Sequence, residues 1–353
     1  MYLFIGGISF LLTLFDVLYK RWSSVSKLYW YMVFTIFISL IVGFRNCGFD
    51  FDNYLYYYHY LDSEAWDNNA GAFGVEIGYA FLNYICCSYR QLLVVMAFAT
   101  IGLYSYFIYK NSPLPFFSLF LLLATFIYPF AMGQYRQALA IAIVLLASLY
   151  KEKRVILLCL LGLASLFHLS SLLAILLLFI SDKIYPKRVY LIFLLFALVS
   201  NLFLYSFFFQ SLNILPEIAM KKLGFYMDAE QNLSYGLNFA MLLRVVTFVL
   251  FWYRKDSILQ FKYGGYFFNI YFLSLLLYLG LGFLPQLAGR GSIYFYFYEL
   301  ILAGMVVSKE NKLKLLIAFF FLCISIYRQI TFFAEWKYDF IPYKSDLSNF
   351  IGL

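Results

Sequence analysis

Long apolar runs separated by short polar loops decide what this 353-residue chain can fold into. Many of the runs approach the roughly 20 residues that a helix needs to cross a bilayer. Apolar residues make up 64% of the chain and charged residues only 12%, which is far from the balance of a soluble domain. The sequence therefore predicts an all-α, polytopic integral membrane protein, with residues 1–353 forming a single transmembrane domain.

Charged residues divide between two alternating sets of loops. Basic residues gather in loops of one parity, at Lys20, Arg21, Lys27, Lys110, Lys151, Lys153, Arg154, Lys183, Lys187, Arg188, Arg254, Lys255, Lys262, Lys309, Lys312 and Lys314. Acidic residues gather in the alternate loops, at Asp50, Asp52, Asp62, Glu64, Asp67, Glu76, Glu217, Asp228, Glu230, Glu335, Asp339 and Asp346. By the positive-inside rule, the basic loops are cytoplasmic and the acidic loops, with both termini, lie outside.

Helices fit the apolar runs at about 2–18, 28–43, 91–109, 114–130, 136–150, 189–207, 238–253, 265–283, 291–307 and 315–331. The run 155–180 has basic clusters on both sides, so a single crossing would break the charge rule. Two short helices that meet at Phe167-His168-Leu169, as a hairpin or a re-entrant pair, satisfy the rule and place His168 near the outer face. Counting this pair as two predicts about 12 transmembrane helices.

Two outer segments are long, at about 44–90 and 210–237. Segments of this length between membrane helices are usually functional or disordered, and the aromatic content of these two argues against disorder. In the first, the spacing of apolar and polar residues over 75–89 predicts an interfacial helix.

Several function classes have no support in the sequence. No nucleic-acid-binding motif or basic stripe is present. The five cysteines have neither disulfide-framework nor zinc-site spacing. We therefore expect no cofactor, no metal and no nucleic-acid partner, while membrane lipids surround the chain.

Arginines on the outer side are the first candidates for chemistry: Arg45, Arg136, Arg244 and Arg290. A charge at mid-membrane costs roughly 2.5–3.5 kcal/mol, so such residues usually face a cavity or a partner. Each one alone is also explained as a helix-end anchor. Together they indicate a cationic pocket suited to pyrophosphate, which guanidinium binds through paired hydrogen bonds. Arg45, beside glycines and facing acidic residues, fits both an anion or hydroxyl site and a snorkelling interfacial arginine.

Three residues are candidates for proton transfer: His168, Asp50 and Glu76. A histidine on an apolar helix is often a packed structural residue, but a position at the tip of a hairpin facing the acidic loop suits a general base or a phosphate donor. Glu299, in the middle of a predicted span, needs a partner, and Arg244 is a candidate. Tyrosines such as Tyr54 suit an interfacial aromatic belt or a stacking surface for sugars.

Short motifs spread over the chain carry a family resemblance. They are Arg45-x-x-Gly48-x-Asp50-Phe51-x-x-Tyr54, Glu76-x-Gly78-Tyr79, Arg136-Gln137-Ala138, Phe167-His168-x-Ser170, Arg290 ahead of Tyr294-Phe295, and Pro342-Tyr343-Lys344-Ser345 near the C-terminus. In this order and on one side of the membrane, they resemble the EpsG family of Wzy-type polysaccharide polymerases of bacterial inner membranes. Phe51 and Ile77 replace a more usual tyrosine and proline, and neither change removes a catalytic group.

The resemblance implies a fold like that of the GT-C glycosyltransferases. It also implies polymerisation of undecaprenyl-diphosphate-linked oligosaccharide repeats into O-antigen or a similar surface polysaccharide, at the periplasmic face of the inner membrane. Arg45, Arg136 and Arg290 would bind pyrophosphate, and His168 or a carboxylate, Asp50 foremost, would activate the acceptor. The remaining candidate substrate-binding residues are Tyr54, Tyr79, Gln137 and Arg244.

Partners of such an enzyme would include a chain-length regulator and a flippase of the same pathway. Two alternative functions stay open on the sequence. One is a flippase or transporter of the lipid-linked sugars, which needs a cationic cavity but no base. The other is an O-antigen ligase that moves finished glycan onto a lipid A core.

Overall fold

The structure, a computed structural model, describes residues 1–19, 23–63, 75–211, 238–282, 285–309 and 312–346. Its regular elements in these ranges are all helical. The outer segment predicted at 210–237 lies almost wholly outside the described residues. The chain divides into two compact units, Met1–Ile175 with Ala303–Leu353, and Leu176–Leu302.

The first unit begins with helices that match the predicted spans closely, together with two helices of the first outer segment. They are α1 (Tyr2–Leu18), α2 (Ser24–Gly43), α3 (Phe51–Ser63), α4 (Ile77–Ile85), α5 (Tyr89–Asn111), α6 (Pro115–Leu122), a π-helix (Leu123–Ala131), α7 (Tyr135–Ser148) and α8 (Arg154–Ser165). The predicted span 114–130 is thus part α-helix and part π-helix. Pro129 lies inside the π-helical part and has no N–H to donate, which suits a change of hydrogen-bond register.

The later elements complete both units. They are a 3₁₀-helix (Leu169–Phe179), α9 (Lys187–Ser211), α10 (Phe239–Tyr253), α11 (Lys255–Ile258), α12 (Gly264–Gly280), α13 (Pro285–Tyr296), α14 (Tyr298–Lys309), α15 (Lys314–Glu335) and α16 (Lys337–Phe340). The break predicted at Phe167-His168-Leu169 is confirmed, since α8 ends at Ser165 and the 3₁₀-helix starts at Leu169. The predicted helix 291–307 lies within one candidate span, Ala288–Lys309, in which a single turn residue, Phe297, separates α13 from α14.

Four of the described helices are long and apolar enough to cross a membrane: Ser24–Gly43, Tyr89–Asn111, Ala288–Lys309 and Lys314–Glu335. Seven shorter apolar helices accompany them. The chain is therefore an all-helical, multi-pass membrane protein. The count of about 12 spans and the GT-C-like arrangement stay predictions.

The loops of the first unit separate toward two ends, as their charges predict. At one end, which we call the basic end, Lys27 pairs with Asp16 at 2.5 Å and Lys314 Nζ donates to the Val17 carbonyl. At the other end, the hydroxyl of Tyr2 lies 3.4 Å from Cys47 Sγ, and its ring contacts Tyr343. The N-terminus, the loop after α2 and the segment after α15 therefore share the end away from the basic loops.

The helix predicted over 75–89 is confirmed as α4, a nine-residue helix, and its interfacial position stays a prediction. α3 was not predicted. Its sequence is rich in tyrosine and lacks the periodic apolar stripe from which a helix is recognised. Both helices lie in the first outer segment and bring candidate residues to the end opposite the basic loops.

Candidate functional site

Glu76 is the centre of a cluster of three charged or ionisable side chains in the first unit. Its Oε2 accepts a hydrogen bond from Arg136 Nη1 at 2.6 Å. Its Oε1 lies 3.3 Å from His168 Nδ1, at ion-pair distance although the two groups are not aligned for a hydrogen bond. Three separate sequence motifs thus meet at one carboxylate. We call Glu76, Arg136 and His168 the charged cluster.

The local fold fixes each member of the charged cluster at a helix end. Glu76 precedes α4, Arg136 is the second residue of α7, and His168 occupies the break between α8 and the 3₁₀-helix. The break is held to α4 because the Gly78 N–H donates to the Leu166 carbonyl at 2.8 Å. A Cβ at Gly78 would lie 2.7 Å from that carbonyl oxygen, so only glycine allows this approach.

Two tyrosines surround the Arg136 guanidinium. Its Nε donates to the Tyr54 hydroxyl at 3.3 Å, and its Cζ lies 5.3 Å from the Tyr54 ring centre and 5.4 Å from that of Tyr79. The Tyr79 and Tyr135 hydroxyls share a hydrogen bond of 2.7 Å. Aromatic faces attract a guanidinium electrostatically. Tyr54 and Tyr79 therefore hold Arg136 in place as well as lining the cluster.

The charged cluster remains accessible. Side-chain exposure is 18% for Arg136, 18% for Glu76 and 20% for His168. Burial raises the pKa of Glu76, but the interaction with His168 and the charge of Arg136 outweigh it and hold that pKa below its ordinary value. Within the described part of the chain, neither Arg136 Nη2 nor His168 Nε2 has a hydrogen-bond partner. A free guanidinium edge and a free imidazole nitrogen therefore lie on either side of one carboxylate.

Arg45 has a different environment from Arg136. Its side chain is only 1% exposed, and its Nε and Nη1 donate to the Met132 and Val42 carbonyls at 3.1 and 2.6 Å. Met132 directly follows the π-helix, three residues before α7 begins. Arg45 therefore fastens the loop after α2 to the loop that leads into Arg136.

Two glycines make this contact between loops close. Gly48 has a φ of +132°, and a Cβ there would lie 2.4 Å from the Met132 carbonyl oxygen. A Cβ at Gly133 would lie 2.4 Å from the ring of Phe49. Glycine at both positions lets the two loops approach within van der Waals distance.

A second cluster, which sequence reasoning missed, fixes the outer side of this loop. Arg90 Nη1 donates to the Gly43 and Arg45 carbonyls at 3.0 and 2.7 Å, and Arg90 Nη2 donates to Asn46 Oδ1 and, at 2.5 Å, to Asp346. Asn46 Nδ2 also donates to Asp346 at 2.5 Å. We call Arg90, Asn46 and Asp346 the C-terminal clamp, because it ties the end of the described chain to the loop after α2.

A family model described as "EpsG family" matches residues 28–345, nearly the whole chain. The chain belongs to the EpsG family. This family is of the Wzy-type polymerase-like class. No curated protein sequence matches the chain, and no solved structure matches it.

The structure places the family-like motifs of this EpsG-family chain in both units. Asp50, at the start of α3, faces Asn53 with 3.5 Å between Oδ1 and Nδ2. Gln137 is buried beside Arg136 in α7. The C-terminal motif is bound to the loop after α2, because the Asn46 N–H donates to the Lys344 carbonyl at 2.8 Å.

Arg244 and Arg290 belong to the second unit, on α10 and α13. The Arg244 guanidinium lies between the rings of Tyr278 and Tyr296, 4.1 and 4.0 Å from their centres, and Nη1 donates to Ser292 at 3.0 Å. The sequence predicted Arg290 at the start of a helix. The structure instead places it, half-buried, in the second turn of α13.

Glu299 interacts with a residue that the sequence did not indicate. The Tyr271 hydroxyl lies 3.1 Å from Glu299 Oε2 and 3.1 Å from the Arg244 carbonyl oxygen. Tyr271 thus connects the residues that we expected to pair. The proposed direct pairing of Arg244 with Glu299 stays a prediction.

Proposed function

We propose that this EpsG-family chain is a glycosyltransferase that joins undecaprenyl-diphosphate-linked oligosaccharide repeats into O-antigen or a similar surface polysaccharide. The observation that carries the proposal is the charged cluster. It combines an accessible arginine with an imidazole backed by a carboxylate. Transfer from a lipid diphosphate needs these two functions, a cation for the leaving group and a base for the acceptor.

Arg136 serves the leaving group. When the bond between the anomeric carbon and the diphosphate oxygen breaks, negative charge develops on the diphosphate, and a fixed cation stabilises it. Glu76 occupies one Arg136 nitrogen and Tyr54 another, so the geometry of the remaining guanidinium edge is set before substrate arrives. Such preorganised donors act without reorganisation during the reaction.

His168 serves the acceptor hydroxyl. As the new bond forms between the acceptor oxygen and the anomeric carbon, the hydroxyl proton passes to Nε2, and the diphosphate departs with the bonding electrons. Glu76 Oε1 is 3.3 Å from Nδ1, where its charge stabilises the imidazolium that results. Release of the proton to solvent then restores the neutral imidazole.

Glu76 fits the role of the base less well than His168. Both oxygens of Glu76 already have partners, and its lowered pKa makes it a weak proton acceptor. Asp50 directly precedes α3, where its Oδ1 accepts from Asn53 Nδ2 at 3.5 Å. We assign positioning to Glu76 and keep Asp50 as the alternative base.

Arg45 acts as a positioning residue in this proposal and does not bind pyrophosphate. The sequence suggested that role for Arg45 together with Arg136 and Arg290. The buried donors of Arg45 are engaged with backbone carbonyls. Arg290, Arg244 and Gln137 remain proposed substrate contacts. For Arg244, the two stacked tyrosines hold the guanidinium plane, which suits paired hydrogen bonds to phosphate oxygens.

The proposed location is the bacterial inner membrane, with the charged cluster on the periplasmic side. One observation and one expectation support this orientation. The basic residues Lys27 and Lys314 gather at the opposite end of the first unit, and such residues favour the cytoplasmic side. Lipid-linked donors also carry their diphosphate at the membrane interface, the depth at which α4 is expected.

Product chain length separates this function from its two alternatives. Purified protein in liposomes is given undecaprenyl-diphosphate-linked repeats on the accessible side, and products are resolved on a gel. A polymerase produces a ladder of products that differ by one repeat. A single added glycan on a lipid A core acceptor would indicate a ligase, and relocation of unchanged substrate would indicate a flippase.

A further inference from the structure

An exposed surface of aliphatic and aromatic side chains begins directly beside the charged cluster. Its side chains are Ile77, Phe81 and Tyr84 of α4, with Leu166 and Leu169 at the break next to His168. Ile77 is 65% exposed, Phe81 51% and Leu169 54%. We call these five residues the apolar ramp.

The spacing within α4 explains why these side chains share a face. Ile77, Phe81 and Tyr84 are separated by four and three residues, so they form one stripe along the helix. Tyr79, Ala80 and Asn83 on the opposite face are buried. α4 is therefore anchored by one side, and the side that it leaves exposed contains no charged residue.

The apolar ramp is continuous with the charged cluster. Ile77 lies between Glu76, whose Oε1 accepts from the Leu169 N–H at 3.4 Å, and Gly78, whose N–H donates to the Leu166 carbonyl. The same two contacts thus join α4 to the break on which His168 lies. A ligand held at Arg136 and His168 has this surface as its neighbour.

We propose that the apolar ramp binds the first isoprene units of the polyprenyl tail of the lipid-linked diphosphate. This inference rests on the proposed function. An amphiphile with an anionic head and a hydrocarbon tail matches both parts of the surface, with the head at Arg136 and the tail over Ile77 and Phe81. The nine-residue α4 extends for about 13 Å, long enough to guide the tail from the cluster toward the bilayer.

Tail length provides the test. The Michaelis constant is measured for a repeat linked to undecaprenyl diphosphate and for the same repeat linked to dimethylallyl diphosphate, which has a single isoprene unit. Phe81→Gln is expected to raise the constant for the undecaprenyl form by about tenfold, the effect of losing roughly two buried methylene contacts, with turnover unchanged. The constant for the dimethylallyl form is expected to stay as in the wild type.

Two variants control this measurement. Phe81→Leu keeps an apolar side chain and is expected to keep the low constant, which separates tail contact from misfolding. Phe319→Gln makes the same substitution at a 64%-exposed phenylalanine of α15, near Lys314 at the basic end, and is expected to change neither constant. An equal rise for both substrates in Phe81→Gln, or no rise, would overturn the proposal.

Photocrosslinking keeps the test independent of polymerisation. Benzoylphenylalanine at position 81 is expected to label undecaprenyl-diphosphate-linked repeat in preference to bulk phospholipid, and the same group at position 319 is expected to show no preference. Labelling in proportion to lipid abundance at both positions would mean that ordinary membrane lipid covers the ramp. If the wild-type protein forms no polymer but position 81 still selects the polyprenyl substrate, the proposed function fails and the tail site stands.

Discussion

Glu76 and Arg136 are 60 positions apart in the sequence and form an ion pair with 2.6 Å between Oε2 and Nη1. Arg136 Nε donates to the Tyr54 hydroxyl, so among the described residues Nη2 is the guanidinium nitrogen without a hydrogen-bond partner. Arg136 lies in α7, and its partners are Glu76, directly before α4, and Tyr54 in α3, so helices fix the position of the charge.

Replacement of Arg136 should remove polymer without removing the protein. Arg136→Ala deletes the cation for the leaving diphosphate, and loss of one such stabilising donor typically costs about 10²–10³-fold in rate. Arg136→Lys keeps the charge but loses the paired donor geometry, so we expect partial activity. The measurement is ladder intensity against membrane protein level, with Arg254→Ala at the predicted cytoplasmic face as the control. Full activity in Arg136→Ala would remove this residue from the mechanism.

Acid should weaken the charged cluster in a defined pH range. The pKa of Glu76 is held below its ordinary value of 4.5, so the stability from its ionised form is fully present above that value. That contribution is lost as pH falls through the lowered pKa. The difference in melting temperature between wild type and Glu76→Gln should therefore be constant near neutral pH and shrink in acid. A difference that grows in acid would contradict the assigned direction.

The C-terminal clamp should matter for stability and for positioning. Arg90→Met leaves the Gly43 and Arg45 carbonyls and Asn46 Oδ1 without their donor, so we expect it to lower the free energy of unfolding by about 1–3 kcal/mol. Asp346→Asn should lower it less, by about 0.2–1 kcal/mol, because the side chains of the Arg90–Asp346 ion pair are 24% and 44% exposed. Thermal unfolding in detergent measures both, with Asp256→Asn at an exposed site as the control. Equal stability of Arg90→Met and wild type would contradict this role.

Sidedness can be measured directly in a cysteine-free background. Tyr338→Cys, at a 94%-exposed position of α16, should react with an impermeant maleimide in intact spheroplasts. Glu152→Cys, between Lys151 and Lys153, should react only after the membrane is opened. The reverse pattern would place the charged cluster on the cytoplasmic side and exclude a periplasmic reaction.

Much of the helical framework followed from local patterns. The apolar runs predicted α1, α2, α5 and α7 closely. The charge clusters around 155–180 predicted the break at His168, because a single crossing would place basic loops on both sides. The family-like motifs also singled out Glu76, Arg136 and His168, although nothing local indicated that they meet.

The remaining features depend on contacts between distant residues. Arg90 and Asp346 are 256 positions apart, and neither has a local signal beyond the resemblance of the C-terminal Pro342-Tyr343-Lys344-Ser345 motif. Arg45 and Arg136 look alike in the sequence, yet one is fully buried among carbonyls and the other is accessible. Burial is a property of packing, which single-sequence patterns do not report.

The central claim is that the charged cluster catalyses polymerisation with His168 as the base, and one comparison tests it most directly. Rates of ladder formation by purified wild type, His168→Ala and His168→Gln are measured at saturating lipid-linked repeat. Glutamine can donate a hydrogen bond but cannot take a proton at neutral pH. We predict that both variants lose about 10²–10⁴-fold in rate while they still bind the lipid-linked donor. A near-normal ladder from His168→Gln would contradict the account.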